Sequence, residues 1–455
     1  MSQASRRSFL AGFTAVAGAG ALSGLLRAAA AATGPARLNF LFILMDDMGW
    51  ADLGCYGSIY HETPNLDRLA SQGMRFTQAY AACPVCSPTR SALLTGKSPA
   101  KLRVTDFLVG KRWPNDSPIT PVPWRTTGLD PAEVTIAEIL KAGGYATGQL
   151  GKWHVGGKPQ DHGFDTVVPP PPKAHWDGTG RYEDAYFLDH AGKFLEAQKD
   201  GPFYLQLWPA LVHIPLQGDP ELVKKYREKE KPAGDKPQDS PVYAAMMEST
   251  DRLVGGVLKK LDDLGLAQRT VVIFSSDNGG LAMNEGGTRP TSNAPWREGK
   301  GFLYEGGIRV PYLVRWPGVV KPGSTCDVPI TSVDFLPTIA ALSGSAARLP
   351  ADLEGQNIAP LLRGETGRYK PSPLFWHYPH YANQGGPPGA AVRIGDDKLI
   401  HWYATDAMEL YDLKTDPGET TNLVPARPDK VKALRALLDE WRTRTAAQIP
   451  EKRAP

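Results

Sequence analysis

The chain has 455 residues, 42% of them apolar and 22% charged, the composition of a globular protein with enough apolar material for a large buried core. Its 51 basic and 48 acidic residues leave a formal net charge of +3, which gives no field-driven attraction to nucleic acid or an anionic membrane, so any preference for an anion must come from a local cluster. At roughly 150 residues per domain, one large domain with a smaller companion fits the length, and 47 glycines and 41 prolines predict long, numerous loops.

Residues 1–32 read as a targeting segment. Ser5-Arg6-Arg7-Ser8-Phe9-Leu10 resembles the twin-arginine export motif. A weakly apolar run from Phe9 to Leu26 is broken by Gly12, Gly18, Gly20 and Gly24, and Ala30, Ala31 and Ala32 offer a small-residue cleavage site. The glycines argue against a retained anchor, and no later stretch is long and apolar enough to span a bilayer. The mature protein is expected to be periplasmic or secreted, without stable membrane insertion. That compartment permits disulfides, but Cys55, Cys83, Cys86 and Cys326 fix no pairing.

Short apolar runs at 38–44, 145–150, 203–208, 271–274 and 310–314 predict buried strands. Their continuous rather than alternating character suggests a sheet covered on both faces. Helices are expected between them. One follows the Thr63-Pro64 cap, carries Leu66, Leu69 and Ala70, and stops at Gly73. A second carries Ile136, Ile139 and Leu140 and ends at Gly143-Gly144. The longest, at about 241–264, is capped by Ser240 and presents Met246, Met247, Leu253, Val254, Val257, Leu258, Leu261 and Leu264 on one face. The predicted fold is α/β: a large mixed, mostly parallel sheet flanked by helices, spanning 37–345.

The character changes after about residue 345. Strands near 374–378, 391–394, 398–403 and 409–413 have hairpin-like spacing, with Asp396-Asp397 at one turn, and an amphipathic helix at about 428–446 closes the chain. Residues 346–455 are expected to form a smaller antiparallel α+β subdomain.

Ligands of parallel sheets sit beyond the carboxyl ends of the strands. The run at 38–44 leads into Asp46-Asp47, that at 145–150 into Gly151-Lys152-Trp153-His154, that at 203–208 towards His213, and that at 271–274 into Asp277-Asn278. These clusters are expected to converge on one site. Three carboxylates and an amide oxygen form a hard, oxygen-only donor set, suited to calcium or magnesium and not to zinc. Either pair taken alone reads equally well as turn residues.

The densest signal is Cys86-Ser87-Pro88-Thr89-Arg90-Ser91-Ala92-Leu93-Leu94-Thr95-Gly96. Cys83-Pro84-Val85-Cys86 is also a C-x-x-C, which would suit a redox pair or half a zinc site, but no second C-x-x-C or paired histidine motif completes such a site. Further along come Gly144-Tyr145-Ala146-Thr147 with Gly151-Lys152-Trp153-His154, then His213-Ile214-Pro215, and Gly299-Lys300-Gly301 with Glu305-Gly306-Gly307-Ile308-Arg309-Val310-Pro311.

Together these elements resemble the sulfatase family of the alkaline-phosphatase-like superfamily, whose signature C-x-P-x-R is complete at Cys86–Arg90. The resemblance is strong over about 37–345 and looser beyond. It implies that Cys86 is oxidised to formylglycine by a formylglycine-generating enzyme during maturation. The hydrated aldehyde would attack sulfur, and its second hydroxyl would then expel sulfate, a step that an ordinary serine could not take. It further implies one Ca2+ per chain, held by Asp46, Asp47, Asp277, Asn278 and the oxidised Cys86. Arg90 would steady the diol, and Lys152 and Lys300 would grip the sulfate oxygens. His213 would protonate the leaving alcohol and His154 would deprotonate the second hydroxyl. Val212 departs from the small polar residue usual before that histidine.

The leaving group is not encoded in these motifs. The segments 98–130, 169–184 and 376–392 supply exposed-looking candidates for contacting it: Lys111, Arg112, Trp113, Trp124, Arg125, His175, Trp176, Arg181, His377 and His380. Aromatic and basic residues suit a sulfated sugar, so a small sulfated saccharide is the expected substrate. A phosphonate or phosphate monoester hydrolase of the same superfamily is the alternative.

Overall fold

A computed structural model describes residues 37–110, 113–172, 181–234, 237–284 and 289–453. The expected targeting segment at 1–32 lies outside them. Among the described residues, no helix is long and apolar enough to cross a membrane. Leu38–Pro455 form one compact unit.

The larger sheet has nine strands: β1 (Asn39–Met45), β2 (Met74–Tyr80), β3 (Ala146–Gly151), β4 (Thr166–Val168), β5 (Phe203–Trp208), β6 (Thr270–Ser276), β7 (Arg309–Arg315), β8 (Ser324–Cys326) and β9 (Ile330–Thr331). Their order is β4-β3-β5-β1-β6-β7-β2-β8, with β9 also paired to β2. β1 runs parallel to β5 and β6, and β3 to β4 and β5. β7 alone runs the other way, antiparallel to β6 and β2.

The unbroken apolar runs reflect burial on both faces. Phe40, Phe42 and Leu44 of β1 pack on one side with the helices Cys86–Thr95, Ile136–Ala142 and Phe335–Leu342. Leu41, Ile43 and Met45 pack on the other with Pro64–Gln72, Arg181–Ala197 and Pro241–Asp263. Of the two predicted caps, Ser240 accepts from the Tyr243 amide, whereas Thr63 stands at the N-cap with no side-chain cap bond; a capping box of Thr135 and Glu138 adds a third, unpredicted start.

The smaller sheet is antiparallel, in the order β10 (Leu374–Tyr378), β11 (Gly389–Ile394), β12 (Asp397–Trp402), β13 (Met408–Asp412). Ile394 pairs with Asp397, so the tight turn is Gly395-Asp396 and not Asp396-Asp397. One face, through Trp376, Tyr378 and Ile400, packs on Tyr80, Val85 and Tyr304. The other, through Val392, Leu399 and Leu410, receives Leu434, Leu438 and Trp441 of the final helix, Pro428–Thr445.

A fully buried ion cluster joins the two sheets. Lys398 Nζ lies 3.0 Å from Glu305 Oε1 and 2.8 Å from Glu419 Oε1, all three side chains being 0% exposed. Glu305 Oε2 also accepts from Tyr80 and Arg309. Burial would raise both carboxyls. Lys398, with Arg309 and Arg393, overcomes it at Glu305, lowered to about 2, while Glu419 is pushed up to about 7.

Two histidines expected at the substrate rim are structural instead. His377 is 2% exposed, with Nδ1 2.7 Å from the Tyr403 hydroxyl and Nε2 3.1 Å from the Gln448 carbonyl. His380 is 5% exposed, with Nε2 2.8 Å from Thr105 Oγ1. Burial drives both down to about 3.

Two stability effects are expected. Lys398→Met removes the cation paired with Glu419 and leaves Glu305 to Arg309, and should cost about 3 kcal/mol, read as a lowered urea midpoint with an unchanged m-value. Histidine in the unfolded chain titrates near 6.5. His377 therefore makes the unfolded state the greater proton binder between about pH 6.5 and 3, and stability falls as pH drops through that window. In His377→Gln the pH slope of unfolding free energy should flatten by about 1.4 kcal/mol per unit over the part of that window where the protein remains folded.

Candidate active site

Register explains why two acidic pairs far apart in sequence meet. Met45 pairs with Ser276 across the parallel β1–β6 ladder, so Asp46 leaves the sheet beside Asp277 and Asp47 beside Asn278, about one strand spacing away. All four are at most 1% exposed. The Asp47 amide donates to Asp277 Oδ1 at 3.2 Å and Asn278 Nδ2 to Asp47 Oδ1 at 2.8 Å. Asp47 holds φ 64°, a left-handed conformation that costs a non-glycine residue roughly 1–2 kcal/mol and is typically stored at functional sites.

Cys86 is the first residue of the buried helix Cys86–Thr95. The spacing of C-x-P-x-R puts Arg90 one turn on, on the same helix face, and Pro88 in the first turn, where its missing N–H has no intrahelical partner to lose. Arg90 reaches Asp277 Oδ2 with Nε at 2.9 Å and Nη2 at 2.7 Å, and donates through Nη1 to the Lys152 carbonyl at 3.0 Å. Trp208 lies under its guanidinium at 5.2 Å.

Lys152, just past β3, places Nζ 2.5 Å from Asp46 Oδ2. Lys300 places Nζ 2.7 Å from Asp47 Oδ2 and 3.3 Å from His213 Nε2. His213 Nε2 is 3.5 Å from Asp47 Oδ2. Because β7 is antiparallel, its amino end lies at the edge where its neighbours have their carboxyl ends, and Lys300 arrives there. The Gly301 amide binds the Pro84 carbonyl at 2.9 Å, tying this loop to the turn before Cys86. His154 holds φ 51°. Its Nε2 donates to the Leu108 carbonyl at 2.6 Å, which leaves Nδ1 as the unprotonated nitrogen, buried and with no hydrogen-bond partner among the described residues.

The electrostatics follow from the packing. Burial alone would raise Asp46, but Lys152, His213, Arg90 and Lys300 outweigh it and hold the carboxyl well below the usual range. Asp47 is lowered likewise, chiefly by Lys300. Asp277 is pushed up to about 6 by burial and by Asp46 and Asp47, against the pull of Arg90. Burial and the Lys152 charge lower His154 to about 4, so it is neutral at neutral pH. Burial raises the thiols of Cys86 and Cys83, the opposite of what a C-x-x-C redox pair needs. All four cysteines are free.

The donor set fits a hard divalent cation. Ligand atoms of Asp46, Cys86 and Asp277 lie within 4.8 Å of one another. Asp46 Oδ1 and Asn278 Oδ1 are buried and find no hydrogen-bond partner among the described residues, Asp46 Oδ1 having only the Arg90 Nη2 charge at 3.6 Å. Such orphaned oxygens are costly unless an ion takes them. Three carboxylates face Arg90, Lys152 and Lys300, so a bound divalent cation would leave the centre net positive and ready for an anion.

Sequence reasoning missed some neighbours. The Leu108 carbonyl carries no side-chain signature, and Trp208 reads only as the end of a strand. Glu183 accepts from the Ala210 amide at 2.8 Å in the turn leading to His213, and burial pushes it up to about 7. Of the expected rim residues, Trp113 and Trp124 are half-buried and edge-on to His380, and Arg125 pairs with Asp130 at 2.5 Å. Lys111, Arg112, His175 and Trp176 lie outside the described residues, as does the Arg181 side chain.

Comparison with known proteins places the chain in a family. A family model described as Sulfatase matches residues 38–345, and one described as N-sulphoglucosamine sulphohydrolase, C-terminal, matches 296–444. Human arylsulfatase A is 34% identical, over 92% of this chain and 90% of that protein. A sulfatase of Formosa agariphila is 32% identical, over 86% and 85%. Human N-acetylgalactosamine-6-sulfatase is 32% identical, over 84% and 76%. The crystal structure of Ps i-CgsB in complex with k-i-k-neocarrahexaose superposes with a TM-score of 0.76 at 25% identity, covering 90% of this chain and 93% of that one. With the fold, the family match and these relatives in agreement, the chain belongs to the sulfatase family, a family of sulfuric ester hydrolases.

Proposed function

We propose that this protein is an exported, calcium-dependent sulfatase that hydrolyses a sulfate monoester of a small saccharide, with Cys86 oxidised to formylglycine as the nucleophilic residue. The observation that carries the reading is the meeting of Cys86, Asp46 and Asp277 within 4.8 Å, with Arg90 bound to Asp277. The raised thiol of Cys86 supports it as well, since an unmodified cysteine there is a poor nucleophile at neutral pH. A saccharide substrate draws support from relatives named for N-acetylgalactosamine-6-sulfate and from the neocarrahexaose complex. Export rests on the motif at Ser5–Leu10.

Asp46, Asp47, Asp277 and Asn278 would hold the calcium. When bound, the cation and the hydrated aldehyde of Cys86 supply a polarised oxygen nucleophile and a second hydroxyl. Arg90 fixes that side chain from one helical turn away. Lys152 and Lys300 bind the sulfate oxygens and stabilise the charge that builds on them. His213, beside Lys300, hands a proton to the leaving alcohol. His154, neutral because it is buried next to Lys152, accepts a proton at Nδ1, its Nε2–H being engaged with Leu108.

Peptide mass spectrometry of active enzyme should find Cys86 as the aldehyde, and Cys86→Ala should abolish turnover with unchanged circular dichroism. An unmodified thiol in active protein, or activity surviving in the alanine variant, would overturn the mechanism. On matched sulfate and phosphate monoesters, sulfate should win; the reverse preference would mark a phosphate or phosphonate hydrolase. Lys152→Ala should lower kcat by about 100- to 1,000-fold in steady-state assays, the usual cost of losing one stabiliser of developing charge.

A further inference from the structure

We propose that Asn293 is a positioning residue that locks three site loops together and thereby sets the spacing of the cation's ligands; this rests on the calcium reading above. Asn293 is 2% exposed, and its carboxamide uses three hydrogen bonds. Oδ1 accepts from the Gly280 amide at 3.2 Å. Nδ2 donates to the Gly280 carbonyl at 2.9 Å and to the Glu298 carbonyl at 3.0 Å. The first two bonds grip the turn that follows Asp277 and Asn278. The third grips the turn that leads into Lys300, whose own amide binds the same Gly280 carbonyl at 3.1 Å.

The loop after Asp46 and Asp47 comes up on the remaining side. A Cβ on Gly49, Gly280 or Gly299 would collide with the Asn293 carboxamide, so one glycine from each of the three loops closes around this side chain. The 291–293 segment is pinned at its other end too. Thr291 Oγ1 donates to Asp52 Oδ1 at 2.5 Å, and Asp52 Oδ2 accepts from the Gly49 amide at 2.7 Å. The segment thus bridges the β1 loop through Thr291 and the β6 and Lys300 loops through Asn293.

The chemistry selects asparagine. Both amide protons and the oxygen are engaged, which aspartate cannot reproduce because it has no N–H to offer the two carbonyls. Glutamine adds a methylene where three backbones already touch the amide. None of the three bonds reaches a ligand atom, so the effect is on geometry. Partners hydrogen-bonded directly to metal ligands commonly set about 10- to 100-fold of the affinity, and Asn293, which acts one step further back through the loop backbone, is expected at the low end of that range.

The test is calcium titration by calorimetry on the unoxidised chain, wild type against Asn293→Ala, Asn293→Asp and Asp277→Ala, with melting temperature followed with and without Ca2+. Wild type should bind and gain stability, and Asp277→Ala should lose both. Asn293→Ala and Asn293→Asp should bind about 10-fold more weakly and show a smaller calcium-induced rise in melting temperature. A merely structural asparagine would lower the melting temperature equally with and without Ca2+ and leave affinity unchanged, and that result overturns the inference. If one variant does not fold, the other carries the measurement. Wild type that binds no Ca2+, or Asp277→Ala that binds it normally, sinks the calcium reading and this inference with it. Normal binding by the Asn293 variants alone sinks only the inference.

Discussion

Three buried carboxylates at one edge of one sheet are the constraint around which the molecule is arranged. Asp46, Asp47 and Asp277 cannot share a dry volume as anions unless cations sit among them. The chain answers with Arg90, Lys152 and Lys300, each delivered by a different element. Even so, Asp277 stays pushed up to about 6, and two buried oxygens, on Asp46 and Asn278, have no hydrogen bond among the described residues. The electrostatics and the hydrogen-bond accounting therefore ask for the same thing, one more positive charge with room for several oxygen donors.

The sheet topology decides how those charges arrive. A parallel ladder in register sets Asp46 beside Asp277 with no further device. The single reversed strand, β7, then lets a loop from the opposite chain direction enter at the same edge, which is how Lys300 and the 291–293 segment reach the carboxylates. The same stretch carries Glu305, the buried partner of Lys398. The smaller sheet is thus coupled to the loop that holds a catalytic candidate, by this ion pair and by the packing and hydrogen bonding of Tyr304 against it.

Much of this could be read from residue order. The strands at 38–44 and 203–208 declared themselves because both faces are covered. β2 did not, since Arg75, Thr77 and Gln78 interrupt its apolar residues, and β8 and β9 are too short to leave a pattern. The helix Arg181–Ala197 escaped because Phe187, Ala191, Phe194 and Leu195 are diluted by charged neighbours. Strand direction has no compositional signature, so the reversal of β7 was invisible. The site's charged side chains stood out as motifs, whereas a backbone acceptor such as the Leu108 carbonyl leaves no mark. His377 and His380 show the opposite failure: a histidine looks alike in sequence whether it meets solvent or is sealed beneath a tyrosine hydroxyl or a threonine.

The cluster of Glu305, Lys398 and Glu419 bears on how such proteins can diversify. A sheet seated only on greasy contacts can be exchanged between homologues with some repacking. One seated on a buried charge trio cannot, because a transplanted partner with a different count of acids and bases would leave a bare ion in the join. New leaving-group preferences would then arise by remodelling loop tips around an unaltered seam, and recombination within the seam would be filtered out before any chemistry was tried.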